Sequence, residues 1–253
     1  MQLTFEHPLN ERYRTFLRLE HLFGKVRHFL PQGDPWGTRV AVESLLDIVS
    51  ITSRADVKNE LLKEVDRNIA TLARVARQPG VDPNALGRVT AELDSAQSEL
   101  QRMPGQIGQT AREDEFLKSV AQRNSIPGGT CSFDLPNFHF WLTQPGAHRE
   151  RRLAAWMQDL EPVDTAIALV LSLARASANP RRLIAEAGFF QEALNVQAPA
   201  QMLRVTLNGG QAVFPEISGH KSRFSIRFMT SEANGRPAQS RDDVDFTLTC
   251  CVF

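Results

Sequence analysis

Over its first two-thirds the chain places apolar residues every three or four positions, the spacing of a helix that buries one face. Behind Asn10, a residue suited to cap a helix, Tyr13, Phe16, Leu19, Phe23, Val26 and Leu30 predict a first helix. Its opposite stripe is cationic: Arg14, Arg18, His21, Lys25 and His28. Past a turn-rich break at 31–37, Val42, Leu45, Leu46 and Val49 predict a second helix. The clearest pattern is a pair of heptad seams. Leu62, Val65, Ile69, Leu72 and Ala76 form one; Leu86, Val89, Leu93, Ala96, Leu100 and Met103 form the other. QPGVDPN separates them, with Gly80 able to end a helix and Asp82-Pro83 able to start one. An antiparallel helical hairpin is expected, its seam closed within one chain or extended into a contact with a second copy.

Thr110 with Glu113 reads as a capping box that opens one helix over TAREDEFLKSVAQRN, with Phe116, Leu117 and Val120 inward. SIPGGTCSFDLP then implies a turn and a short extended piece near 130–134, available to join a sheet. Helices are expected over 135–142, 150–160 and 162–176. After Asn179-Pro180 the spacing changes to strand-like runs at 183–190, 202–207, 213–217, 221–229 and 244–252. NGGQ at 208–211 reads as a hairpin turn, and the polar stretch 231–243 as an exposed loop. The fold class expected is α+β. An α-helical domain over 1–180, containing the long hairpin, precedes a small antiparallel β-sheet domain over 181–253.

One strand carries an unusual pattern. In SGHKSRFSIRFM, alternation puts Phe224, Ile226 and Phe228 on one face and Lys221, Arg223, Ser225 and Arg227 on the other. Three cations with no acid in the same strand repel one another unless an anion lies against them. That anion is either another segment of the chain or a ligand, and arginine's planar fork favours carboxylate or phosphate.

Charge and composition narrow the readings. Lys plus Arg and Asp plus Glu both number 29, so the net charge is zero, unlike a general nucleic-acid binder. A nucleic-acid-binding module using the same basic strand stays as the alternative. The three cysteines, Cys131, Cys250 and Cys251, lack disulfide-framework spacing and suit a reducing, cytoplasmic setting. The N-terminus shows no apolar signal segment, and TAIALVLSLA at 165–174 is about half of the ~20 residues a membrane span needs. No membrane insertion is expected. There is no GxSxG, Walker A or GxGxxG motif, and no histidine has metal-ligand spacing. No catalytic residue, cofactor or metal is expected. Cys250 and Cys251 point to opposite strand faces, which reads as one small buried hydrophobe and one residue at the sheet edge. Cys131 has no evident activating base.

Four stretches, FEHPLNERYRTFLRLEHL, NELLKEVDR, SIPGGTCSFDLP and PEISGHKSRFSIRFM, carry a resemblance that runs from Phe5 to Cys250-Cys251. The chain resembles the ZapD family of bacterial cell-division proteins. The resemblance implies a homodimer without enzymatic activity. It would bind the C-terminal peptide of FtsZ in a basic pocket near a domain junction and bundle FtsZ filaments at the midcell division ring. Arg223 and Arg227 match the family's pocket arginines directly, Arg14 and Arg112 match with local support, and Arg54 stands just before NELLKEVDR. Lys221 joins them from strand phase alone.

Overall fold

The computed structural model describes residues 2–54, 56–195, 197–220, 222–231 and 235–253. The chain divides into two compact units, Arg18–Val170 and Met1–Leu17 with Leu171–Phe253. Antiparallel sheets and helices share the chain as an α+β fold requires.

The helices are α1 (Glu11–Phe29), α2 (Pro35–Arg54), α3 (Val57–Val75), α4 (Pro83–Arg102), α5 (Gln109–Glu113), α6 (Glu115–Asn124), α7 (Pro136–Leu142), α8 (Gly146–Met157) and α9 (Glu161–Ala176). Asn10 caps α1 as expected, its Oδ1 accepting the Tyr13 N–H at 2.9 Å. The α3–α4 hairpin is antiparallel, since Lys58 at the start of α3 donates to the Met103 carbonyl beyond the end of α4, while Asp66 meets Gln97 halfway along. Asp82 caps α4 by accepting from the Asn84 N–H. The α4 seam is buried at Leu93, Ala96 and Leu100, but the buried face of α3 is Val57, Leu61, Glu64, Val65, Asn68 and Leu72. Leu62 and Ile69 are half-buried and Ala76 is exposed. The apolar pattern missed this rotation because two buried positions are polar, Glu64 being held by Arg67 one turn on.

The helix expected over TAREDEFLKSVAQRN is broken at Asp114, whose backbone is extended and whose carboxylate caps α6 through the Leu117 N–H. Residues 130–134 form turns rather than an extended piece: Cys131 N–H bonds the Gly128 carbonyl and Leu135 N–H the Cys131 carbonyl. Gly129 permits this packing, because a Cβ there would lie 2.5 Å from the Arg123 carbonyl oxygen. Buried Arg149 ties neighbouring segments together through Thr38 Oγ1 and the carbonyls of Gly33, Leu142 and Gln144. The predicted apolar run in α9 is fully buried at Ala166, Ile167, Val170, Leu171 and Ala174.

The strands are β1 (Gln2–Pro8), β2 (Arg181–Ala185), β3 (Phe189–Ala193), β4 (Met202–Asn208), β5 (Val213–Gly219), β6 (Arg223–Thr230), β7 (Ala238–Gln239) and β8 (Val244–Cys251). They make two antiparallel sheets, ordered β1-β4-β8-β2 and β3-β6-β5, with β7 also paired to β6. The sheets bury one shared core, in which Leu203, Val205, Leu207, Phe246 and Leu248 face Phe224, Ile226 and Phe228. Sequence spacing did not reveal β1, which pairs along β4 from Gln2↔Asn208 to Pro8↔Met202. The run expected over 183–190 is two strands, parted where Ala187 and Gly188 adopt positive φ. The NGGQ turn joins β4 of one sheet to β5 of the other and is not a hairpin.

Glu6 of β1 anchors this unit electrostatically. Arg175 grips its carboxylate with two hydrogen bonds, 2.8 and 2.7 Å, and Arg204 Nε of β4 lies 3.0 Å away. Burial alone would raise the Glu6 pKa, but the bonds from Arg175 and the charges of Arg175 and Arg204 hold it below its ordinary value. A depressed carboxylate pKa adds stability above the unfolded-state value, near 4.5, that is lost as pH falls through the folded value. Glu6→Gln is therefore expected to lower the urea midpoint at pH 7, with the gap from wild type closing below about pH 4. A gap that stayed constant across that range would remove the ion cluster from the account.

Candidate functional site

The alternation in β6 decides the site. Phe224, Ile226 and Phe228 are 0–2% exposed in the sandwich core, so Arg223, Ser225 and Arg227 are turned to the outer face. Neighbouring strands bring their own outward residues alongside. Phe189 of β3 and Glu216 of β5 flank Arg227, while Gln191 and Ser218 flank Ser225. Above this face lies an open groove of about 470 Å³, lined by Phe189, Gln191, Gly219, His220, Arg223 and Arg227 among others. The guanidinium groups of Arg223 and Arg227 make no hydrogen bond or ion pair with a described residue. Glu216 is the acid that the single strand did not show: it stands across from Arg227, yet no ion pair joins them.

Arg14 belongs to the same unit as this groove but is not among the residues that line it. At its Gly219 end, a Cβ would meet Leu9 at 2.5 Å and the His7 ring at 3.7 Å, so β1 packs closely against the end of β5. Burial first, and then the charge of Arg14, pull the His7 imidazole below its ordinary pKa, leaving it neutral at pH 7. Arg14 itself is partly exposed and, among the described residues, ion-pairs with the exposed Glu11 one turn back, at 3.1 Å. Such a pair contributes little and exchanges readily for another carboxylate.

Arg54 and Arg112 belong to the helical unit. Arg54 is exposed at the end of α2 and ion-pairs with no described residue. Arg112 is half-buried and occupied by neutral acceptors: the Ile107 carbonyl at 2.8 Å, Gln106 Oε1 at 3.2 Å and Thr52 Oγ1 at 3.3 Å. Its bond to the buried Thr52 ties it to α2 near that helix's end. Lys221 lies outside the described residues.

Sequence reasoning missed His7, Phe189, Gln191 and His220. Phe189 and Gln191 were hidden by reading β2 and β3 as one strand; the Ala187-Gly188 pair was the available signal.

The remaining chemistry is sparse. Among the described residues no three His, Cys, Asp or Glu side chains gather as metal ligands. Cys131 Sγ lies 3.5 Å from Asp134 Oδ2. Cys251 is buried, and burial pushes its thiol up to about 12, so it stays protonated. Cys250 is half-buried in β8, a central strand, rather than at a sheet edge, and its thiol is also raised by burial. No described helix is long and apolar enough to cross a membrane.

A family model described as ZapD, cell division protein, matches residues 17–227. The chain belongs to the ZapD family. It is 44% identical over 252 residues to the cell division protein ZapD of Methylococcus capsulatus, covering all of this chain and 99% of that relative. It is 40% identical to the proteins of the same name from Aromatoleum aromaticum and Azoarcus sp., over 98% and 99% of this chain. In this ZapD-family chain, the β6 geometry makes a direct prediction about stability. Phe228→Ala should destabilise the fold by ~3–5 kcal/mol in urea unfolding, whereas Arg227→Ala should leave the midpoint nearly unmoved. Equal losses at both positions would mean that Arg227 is structural rather than presented.

Proposed function

We propose that this ZapD-family chain is a cell-division accessory protein, without enzymatic activity, that binds the C-terminal peptide of FtsZ. As a homodimer it crosslinks and bundles FtsZ filaments at the midcell ring from the cytoplasm. The observation that carries this reading is the open groove in which the guanidinium groups of Arg223 and Arg227 form no ion pair with any described residue. Presenting two guanidinium groups that pair with no described residue, at fixed spacing, suits a peptide with carboxylates, and the exposed Phe189 offers an apolar contact beside them. Arg14, Arg54 and Arg112 are further peptide contacts on the family resemblance, with Lys221 added from strand phase. Arg112, already held by neutral acceptors, would contribute its charge while also positioning the end of α2.

Energetics shape the mode of action. An exposed charge pair contributes roughly 0–1 kcal/mol, so one tail on one groove binds weakly, in the micromolar range. A dimer offers two grooves to a polymer that displays many tails, and avidity converts weak contacts into stable crosslinks. Net neutrality of the chain counts against phosphate polymers as the ligand of the same face.

Arg223→Glu with Arg227→Glu is expected to abolish co-sedimentation with FtsZ polymers while leaving the circular-dichroism spectrum intact. FtsZ lacking its C-terminal peptide should fail to recruit the wild-type protein. Raising the salt from 50 to about 300 mM should disperse the bundles, because exposed pairs are screened within ~8–10 Å. Undiminished co-sedimentation of the doubly reversed variant would sink the assignment. A mobility shift of DNA or RNA that the same variant loses would transfer the face to the nucleic-acid alternative.

A further inference from the structure

The backbone beside the arginine row has its own unmet valences. In an antiparallel sheet, alternate residues of a strand direct both N–H and C=O to one neighbour, and the residues between them direct theirs to the other side. Phe228 N–H bonds the Gly188 carbonyl, and Leu194 N–H bonds the Ser222 carbonyl. With the register Phe190↔Ile226 and Glu192↔Phe224, the even residues of β3 are therefore the ones that face β6. Gln191 and Ala193 direct their N–H and C=O groups to the other side, where β3 is the edge of its sheet. No described residue bonds those groups. The side chains of Gln191 and Ala193 share the outer face with Arg223, Ser225 and Arg227.

The opposite edge of this sheet is less suited to the same use. In β5 the His220 N–H bonds the Arg223 carbonyl, so Ser218 and Glu216 face β6 and Ile217 and Pro215 face outward. Pro215 has no N–H to offer, a common way to blunt an edge strand. The Arg181–Glu192 ion pair does not cover the β3 edge from the groove side, since Glu192 alternates with Gln191 and Ala193 and lies on the inner face.

The geometry points to strand addition: an extended acidic peptide pairs its backbone with β3 at Gln191 and Ala193 and sets its carboxylates against Arg223 and Arg227. This deepens the proposed function and rests on it, because the peptide it takes is the FtsZ tail. The main-chain ladder supplies affinity and register, and alternate peptide side chains fall on the arginine row, which supplies selectivity for acids. Two open residues on β3 can accept a segment of about five peptide residues, consistent with a short linear motif.

Amide hydrogen exchange on the full-length protein tests the ladder, with and without a synthetic peptide of the FtsZ C-terminal sequence at saturation. The Gln191 and Ala193 amides should exchange at least tenfold more slowly with peptide bound, while the Glu192 amide, already facing β6, does not change. Unchanged exchange at both Gln191 and Ala193 overturns strand addition. A second arm uses peptides N-methylated at alternate residues: one methylation phase should weaken binding about five- to tenfold, the loss of one or two hydrogen bonds, and the other phase should be neutral. Equal affinity for both phases also overturns it. The underlying assignment fails differently. If Arg223→Glu with Arg227→Glu binds the peptide as well as wild type does, the site is elsewhere, and a peptide that binds neither protein overturns both ideas. If charge reversal abolishes binding but β3 exchange stays fixed, only the strand-addition mode is lost.

Discussion

The organising constraint is the two-sidedness of β6. A strand cannot bury three successive alternate residues without turning the intervening ones outward. Phe224, Ile226 and Phe228 complete the core shared by the two sheets, so their burial holds Arg223, Ser225 and Arg227 at fixed spacing on the outside. The hydrophobic effect thus supplies the preorganisation that weak surface electrostatics lacks. A flexible loop bearing the same arginines would lose more conformational entropy on each binding event.

Comparison among the cations sharpens this. Arg149 is buried on carbonyls and a hydroxyl, Arg112 is engaged by three neutral acceptors, and Arg175 and Arg204 surround Glu6. Arg181 holds Glu192. These side chains hold the chain's own structure together. Arg223, Arg227 and Arg54 have no such internal partner among the described residues, which separates presented charge from structural charge. Arg14 stands between, with an exposed acid one turn away as its visible counterion. A neutral chain can still recognise an anion, because recognition follows the local arrangement of unpaired charge rather than the total.

Much of this was legible in the sequence, where one physical rule dominated locally. Helical periodicity located the hairpin and the first, second and last helices, and period-two alternation separated the two faces of β6. The misses occurred where long-range packing overrode local pattern. β1 forms because β4 is available to pair with it, something seven residues cannot announce on their own. The rotated face of α3 depends on burying Glu64 and Asn68, polar residues that a hydrophobic reading assigns to solvent. Asp114, rather than the Thr110–Glu113 pair, proved to be a cap because the chain bends there, and Asp159 takes the Thr110 N–H instead. For the site, the arginine row was visible, but its neighbours on β3 and β5 were not, since register between strands is a tertiary property. Glu216 beside Arg227 and Gln191 beside Ser225 follow only from that register.

Titrating isotope-labelled protein with a peptide of the FtsZ C-terminal sequence, and mapping the backbone chemical shifts, tests the central claim most directly. The largest perturbations are expected on Gln191, Ser218, Arg223, Ser225 and Arg227, with Thr206 and Thr247 on the outer face of the other sheet unmoved. Perturbations that bypass β6 while the peptide binds, or that centre on the Thr206 and Thr247 face, would contradict it.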